Sequence, residues 1–183
     1  MLHQSILPPD TRRVTVMQGQ ARASSERGLT FTTVLGSCIA CCLYDPVAGV
    51  GGMNHFLLAE PPQSHGKGTN LDEHYGAYLM EVLINEMLAL GALKSRMKAH
   101  LYGGANMHRA MLKIGTINGQ FATQFLERER IAMVHADLGG TAARRVEFLP
   151  ALGKARCKSV AAAVVEQEPL QRAPRTSGDV ELF

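Results

Sequence analysis

The sequence predicts a single-domain α+β sandwich on three grounds. The first is a hairpin signal: apolar runs at Cys38–Tyr44 and Val50–Leu58 flank Asp45-Pro46-Val47-Ala48-Gly49, and proline after aspartate with a closing glycine is turn chemistry. The second is one long, well-capped helix beginning at residue 70. The third is a closing series of short strand-like runs, near Ala132–Ala136, Arg144–Phe148 and Lys154–Val160. Helices and strands mixed in this way, with hairpins at both ends, argue against a βαβ-wound parallel sheet.

In chain order, residues 1–12 carry two prolines and no periodicity, and are expected to form a flexible arm. The domain proper spans residues 13–160. Arg13–Met17 and Leu29–Leu35 are rich in β-branched residues and read as strands. After the hairpin, Pro61–Thr69 is polar and broken by glycine and proline, as an exposed loop would be. Asn70 can then cap a helix, with Glu73 reaching back to the cap amide. Tyr75, Tyr78, Leu79, Val82, Leu83, Met87 and Leu90 recur at three- and four-residue steps and predict one buried stripe, which Gly91 ends as a left-handed cap. A strand at Lys98–Tyr102, a turn at Gly103-Gly104, a short helix near Met107–Leu112 and a helix near Gly119–Arg130 precede the three closing strands. Residues 161–183 offer little to bury and are expected to be a disordered tail.

Composition excludes several functions. A chain of 183 residues, 46% hydrophobic and 19% charged, can bury a core without covalent staples. It has no tryptophan and 5% aromatic residues, which leaves no stacking platform for single-stranded nucleic acid. The net charge of +3 is spread over scattered arginines, so no nucleic-acid footprint stands out. No apolar run is long enough for membrane insertion, and the N-terminus lacks a secretory core. The expected compartment is the cytoplasm.

Cysteine is where the sequence becomes specific. Cys38, Cys41, Cys42 and Cys157 would stay reduced in the cytosol, each either a small buried hydrophobe or a reactive thiol. If the hairpin turn centres on Pro46 and Val47, Cys38 falls directly opposite His55. Opposed β-carbons lie about 4.5–5.5 Å apart, within reach for a thiol and an imidazole to share a proton. A register shift of one would put them on opposite faces, and a shift of two would leave them diagonal neighbours. Gly36 and Ser37 precede the thiol, and backbone amides there can support an oxyanion. Hydroxyls on Ser37, Thr32 and Thr33 are candidates to orient the imidazole. A Cys–His pair with such support points to nucleophilic acyl chemistry. Cys41 and Cys42 are expected in the core. Cys38 and Cys41 face opposite sides of a strand, no second pair completes a zinc site, and no metal or cofactor is expected.

Several separated motifs occur in order: Leu35-Gly36-Ser37-Cys38, Leu43-Tyr44-Asp45-Pro46, Gly51-Gly52-Met53-Asn54-His55-Phe56-Leu57-Leu58, Tyr75, Gly103-Gly104-Ala105-Asn106-Met107, Ile114-Gly115, Asn118, and Asp137-Leu138-Gly139-Gly140 leading to Arg144. Over about residues 12–160 the chain resembles the CheD family of chemoreceptor glutamine deamidases. The resemblance implies a layered α/β sandwich with mostly antiparallel sheets, related to bacterial deamidase toxins. It implies that Cys38 and His55 are the catalytic pair and that Thr32, six residues before the cysteine, is the third polar member. The implied reaction is hydrolysis of glutamine side chains on methyl-accepting chemotaxis receptors through a thioester, releasing ammonia. Cleavage of receptor glutamyl methyl esters and binding of a CheC-like phosphatase belong to some members of the family, and the resemblance extends both as expectations to this chain. Ala59, Ile117 and His108 depart from the family pattern and bear on partner binding. The alternatives are a non-catalytic adaptor for receptors or a CheC-like phosphatase, and a thiol hydrolase acting on small amides.

Overall fold

The computed structural model describes residues 12–58, 71–107 and 113–161. Its strands are β1 (Arg12–Thr15), β2 (Gln20–Ser24), β3 (Leu29–Leu35), β4 (Ile39–Asp45), β5 (Val50–Phe56), β6 (Lys98–Gly103), β7 (Ala132–Leu138), β8 (Ala143–Leu149) and β9 (Lys154–Val160). The helices are α1 (Leu71–Ala89) and α2 (Ile114–Arg128). One sheet runs β1-β3-β8-β9 and the other β2-β5-β4-β6-β7. Only β1–β3 and β6–β7 pair in parallel among these strands, so the α+β reading with mostly antiparallel sheets holds.

Three layers follow from where the apolar side chains go. Ile39, Cys41 and Leu43 face the helices, packing with Leu79, Leu83, Met87, Phe121 and Leu126. Ala40 and Cys42 face the other way and join Val16, Phe31, Leu35, Met53, Val146 and Phe148 between the sheets. A central strand covered on both faces reads as an unbroken apolar run, and that is how residues 39–43 appear in the sequence.

Some expectations shift. Strand β2, Gln-Ala-Arg-Ala-Ser, was not anticipated; it is short and pairs only with β5, at the edge. Helix α2 begins at Ile114 rather than near Gly119. In α1 the buried face is Gly76, Leu79, Met80, Leu83, Ile84 and Met87, while Tyr75, Tyr78 and Leu90 are exposed. Gly76 is the reason for the rotation: a β-carbon there would lie 2.6 Å from Leu58 and 2.8 Å from Phe121, so the closest-packed position carries no apolar side chain to mark it. Gly91 does end the helix, at φ +91°, with Ala92 N donating to Met87 O and Gly91 N to Leu88 O, the Schellman arrangement. The arm before Arg12, the loop at Pro61–Thr69, the Asn70–Glu73 cap, the short helix after Met107 and the tail beyond residue 161 lie outside the described residues.

Candidate active site

Because β1 and β3 are parallel neighbours, both deliver the chain to the same end of the four-stranded sheet. From there it crosses twice to the other sheet, through residues 16–19 into β2 and through residues 36–38 into β4. Cys38 sits on the second crossing and His55 on β5, beside the first. Two loops and one strand end therefore meet at one place.

The pairing of Cys38 with His55 differs from the simplest hairpin register. Asp45 is opposite Val50, so the turn is Pro46–Gly49, two residues longer than a turn centred on Pro46 and Val47. The Asp45 carboxylate sets this length by accepting hydrogen bonds from Val47 N (2.9 Å) and Ala48 N (3.1 Å). Leu93 N and the Arg96 guanidinium bind the same carboxylate from outside the hairpin. Ala40 consequently faces His55, and Ile39 faces Phe56. Cys38, one residue ahead of that first pair, is diagonal to His55. Cys38, Ala40 and Cys42 share the inter-sheet side with Met53, so alternation along the strands puts thiol and imidazole on one face.

His55 is buried, with 1% of its surface exposed, and its hydrogen bonds fix its tautomer. Thr33 Oγ1 donates to Val16 O at 2.8 Å and lies 2.9 Å from His55 Nδ1. A hydroxyl has one proton, and here the carbonyl takes it. Toward the ring the threonine can only accept, so Nδ1 carries the hydrogen. Val16 O, 3.3 Å from the same nitrogen, is also an acceptor and agrees. Nε2 is left as the lone-pair nitrogen, buried and without a hydrogen-bond partner among the described residues. Burial lowers the imidazole pKa from 6.5 to about 4, against the opposing pull of the Val16 carbonyl. At neutral pH the ring is an uncharged base.

The hydroxyl that meets the imidazole belongs to Thr33, not Thr32. Side chains alternate along β3, so Phe31 and Leu35 point into the inter-sheet core and Thr33 points with them. Thr32 faces the opposite side, its Oγ1 3.4 Å from that of Thr15.

The thiol loop is held by its carbonyls. Gly36 O accepts from Ala105 N (2.9 Å) and Cys38 O from Gly104 N (2.8 Å). Ser37 O accepts from Asn118 Nδ2 (2.8 Å), whose Oδ1 accepts from Leu58 N (3.1 Å). Such an approach leaves no room for a side chain at Gly103, where a β-carbon would stand 2.1 Å from Cys38 O and φ is +112°. The Gly103-Gly104 pair thus packs its backbone against the loop that carries the thiol.

The other sulfurs are not placed for chemistry. Burial pushes the Cys41 and Cys42 thiols up, and neighbouring Cys41 and Cys157 add to the effect on Cys42. Cys157 is pushed up to about 12 by burial and by Asp137. Cys38 is half-buried at the crossing. Among the described residues no group of three or more His, Cys, Asp or Glu could hold a metal ion.

Sequence reasoning named Cys38, His55, Gly36 and Ser37 and missed three groups beside them. Asn54, beside the histidine, faces the helices and binds Cys41 N, Leu79 O and the Met80 sulfur. The Val16 carbonyl carries no side-chain signal at all. Gln18, whose Oε1 is 3.6 Å from the Cys38 sulfur, was legible only as one polar residue among many.

Comparison with known proteins gives a consistent answer. A family described as CheD chemotactic sensory transduction matches residues 57–159. A Zymomonas mobilis protein named a probable chemoreceptor glutamine deamidase CheD is 53% identical over 175 residues, covering 94% of this chain and 93% of its own. Proteins of the same name from Acidiphilium cryptum and Caulobacter vibrioides are each 43% identical, covering 96% of this chain and 96% of their own.

Proposed function

The chain belongs to the CheD family, and from that premise we propose that it is a chemoreceptor glutamine deamidase with Cys38 as nucleophile and His55 as base. His55 Nε2 takes the thiol proton, and the thiolate attacks the carbonyl carbon of a receptor glutamine side chain. Backbone amides around Gly36–Cys38 support the oxyanion. The imidazolium returns its proton to the leaving nitrogen, and ammonia departs from a thioester. Water, deprotonated by the same nitrogen, then releases glutamate and restores the thiol. Thr33 and the Val16 carbonyl keep Nδ1 protonated, so that Nε2 is always the face presented for proton transfer.

One observation supports this reading above the others: the lone-pair nitrogen of a buried, neutral histidine on the same strand face as Cys38. A pure adaptor has no use for a fixed tautomer. The residue requirements are met without a metal or an organic cofactor. Cys41, Cys42 and Cys157 are free thiols, which suits a reducing cytoplasm, and a CheC-like phosphatase is the second partner that family membership suggests.

The test is mass spectrometry of a receptor cytoplasmic fragment incubated with the protein. Amide-to-acid conversion at defined glutamines is expected with the wild type and not with Cys38→Ala. Receptor binding without conversion would instead identify an adaptor.

A further inference from the structure

Gln18 lies on the first of the two crossings, between the Val16 carbonyl and β2. Its Oε1 accepts from the Cys38 thiol at 3.6 Å, and its side chain is exposed. The backbone on either side is pinned. Val16 N donates to Thr32 O at 2.9 Å, Gly19 N donates to His55 O at 2.7 Å, and Gln20 N donates to Met17 O at 3.0 Å. The Tyr75 hydroxyl of α1 packs over Gly19, 2.7 Å from where a β-carbon would stand. The loop is thus tied to the strand of the catalytic histidine, and what remains free to move is the Gln18 side chain.

That side chain ends in a primary amide, the same group the reaction consumes, resting on the sulfur the reaction uses. It arrives oxygen first. Attack needs a carbonyl carbon facing the sulfur with its oxygen turned toward amide donors, so this contact is unproductive. A hydrogen bond from the thiol also favours the protonated sulfur over the thiolate.

We propose that Gln18 is a resident stand-in for the substrate amide, covering Cys38 between turnovers and swinging out when a receptor glutamine enters. The proposal rests on Cys38 being the nucleophile of the deamidation described above. Displacement gives up one long thiol hydrogen bond on an exposed side chain, a weak interaction that a binding receptor segment can replace.

The experiment compares wild type with Gln18→Ala in three ways: iodoacetamide labelling of Cys38 at neutral pH, steady-state kinetics on a receptor fragment, and the mass of the wild-type peptide containing residue 18. Gln18→Ala is expected to label several-fold faster and to show a KM that falls more than kcat changes, with Gln18 itself unconverted in the wild type. Receptor turnover by the wild type together with equal labelling of the two proteins overturns the stand-in and leaves the deamidase reading intact. So does a KM that rises in Gln18→Ala, because Gln18 would then grip substrate rather than compete with it. Glutamate at position 18 in the wild type but not in Cys38→Ala also overturns it, since Gln18 would be a substrate. Failure of the wild type to convert any receptor glutamine removes the deamidase reading, and the stand-in with it.

Discussion

Thr33 Oγ1 lies 2.9 Å from His55 Nδ1, and together with the Val16 carbonyl it leaves Nε2 as the lone-pair nitrogen. Thr33→Val keeps the shape and removes the acceptor, leaving Nδ1 only the more distant Val16 carbonyl. Turnover should fall by roughly 10- to 100-fold, within the range a positioned general base contributes. Thr32→Val, on the other side of the sheet, should stay within about twofold of wild type, as surface substitutions remote from a site usually do. Ammonia-release rates for the two variants settle the assignment, and equal losses would return the role to Thr32.

Cys38→Ala and His55→Ala should each abolish deamidation. Cys38→Ala removes one half-buried sulfur and should melt close to wild type. His55→Ala empties a buried site and should melt lower while retaining the wild-type circular dichroism spectrum. Near-normal ammonia release by either variant would refute the proposed chemistry.

The buried imidazole makes a prediction about pH. Its folded pKa is about 4 because burial disfavours the charged form, whereas an unfolded histidine titrates near about 6.5. Between those values the unfolded chain binds a proton that the folded one refuses, so stability should fall as pH drops through this window. The acid limb of kcat/KM should likewise lie near pH 4. An NMR titration of His55 beside the rate profile checks both, and an acid limb at an ordinary histidine pKa would contradict the burial argument.

Asp45 governs the hairpin. Burial alone would raise its pKa, but Arg96 and the amides of Leu93, Ala48 and Val47 outweigh that and hold it well below the usual carboxylate range. Asp45→Asn should cost about 2 kcal/mol, because its partner Arg96 keeps partial access to water. The stabilisation is present above the unfolded pKa of about 4 and is lost as pH falls below it toward the folded value. Urea melts of both proteins at neutral and acidic pH should show the gap closing on acidification.

Gly103→Ala tests the clamp on the thiol loop. A β-carbon at that position meets Cys38 O at 2.1 Å in a left-handed conformation, so backbone must shift. A loss of about 2 kcal/mol or more is expected, with turnover falling further than the population of folded protein. Thermal melts and kcat measured on one preparation separate the two effects.

How much of this was legible in the sequence varies with the residue. The apolar run of β4 and the Asp45-Pro46 turn gave the hairpin, and the glycine after α1 gave its stop. The register was not legible, because the turn length follows from how the Asp45 carboxylate folds back onto Val47 N and Ala48 N, and that carboxylate is held in place by Leu93 and Arg96, far along the chain. The choice of Thr33 over Thr32 could have been read from parity, since Phe31 and Leu35 mark the inward face of β3. Strand β2 carries alanine where a strand signal needs larger apolar groups, and only its pairing with β5 reveals it. The inward face of α1 turns on Gly76, which hydrophobic periodicity does not weigh.

Asn118 joins Ser37, 81 positions away, to Leu58, 60 positions away. No contiguous fragment short of that span can hold the Cys38 loop as the folded chain does. Closures across such separations are slow steps in folding, so catalytic competence should be among the last properties a refolding chain regains. Recovery of turnover would then time the completion of the whole architecture, where far-ultraviolet signals would report only its early parts.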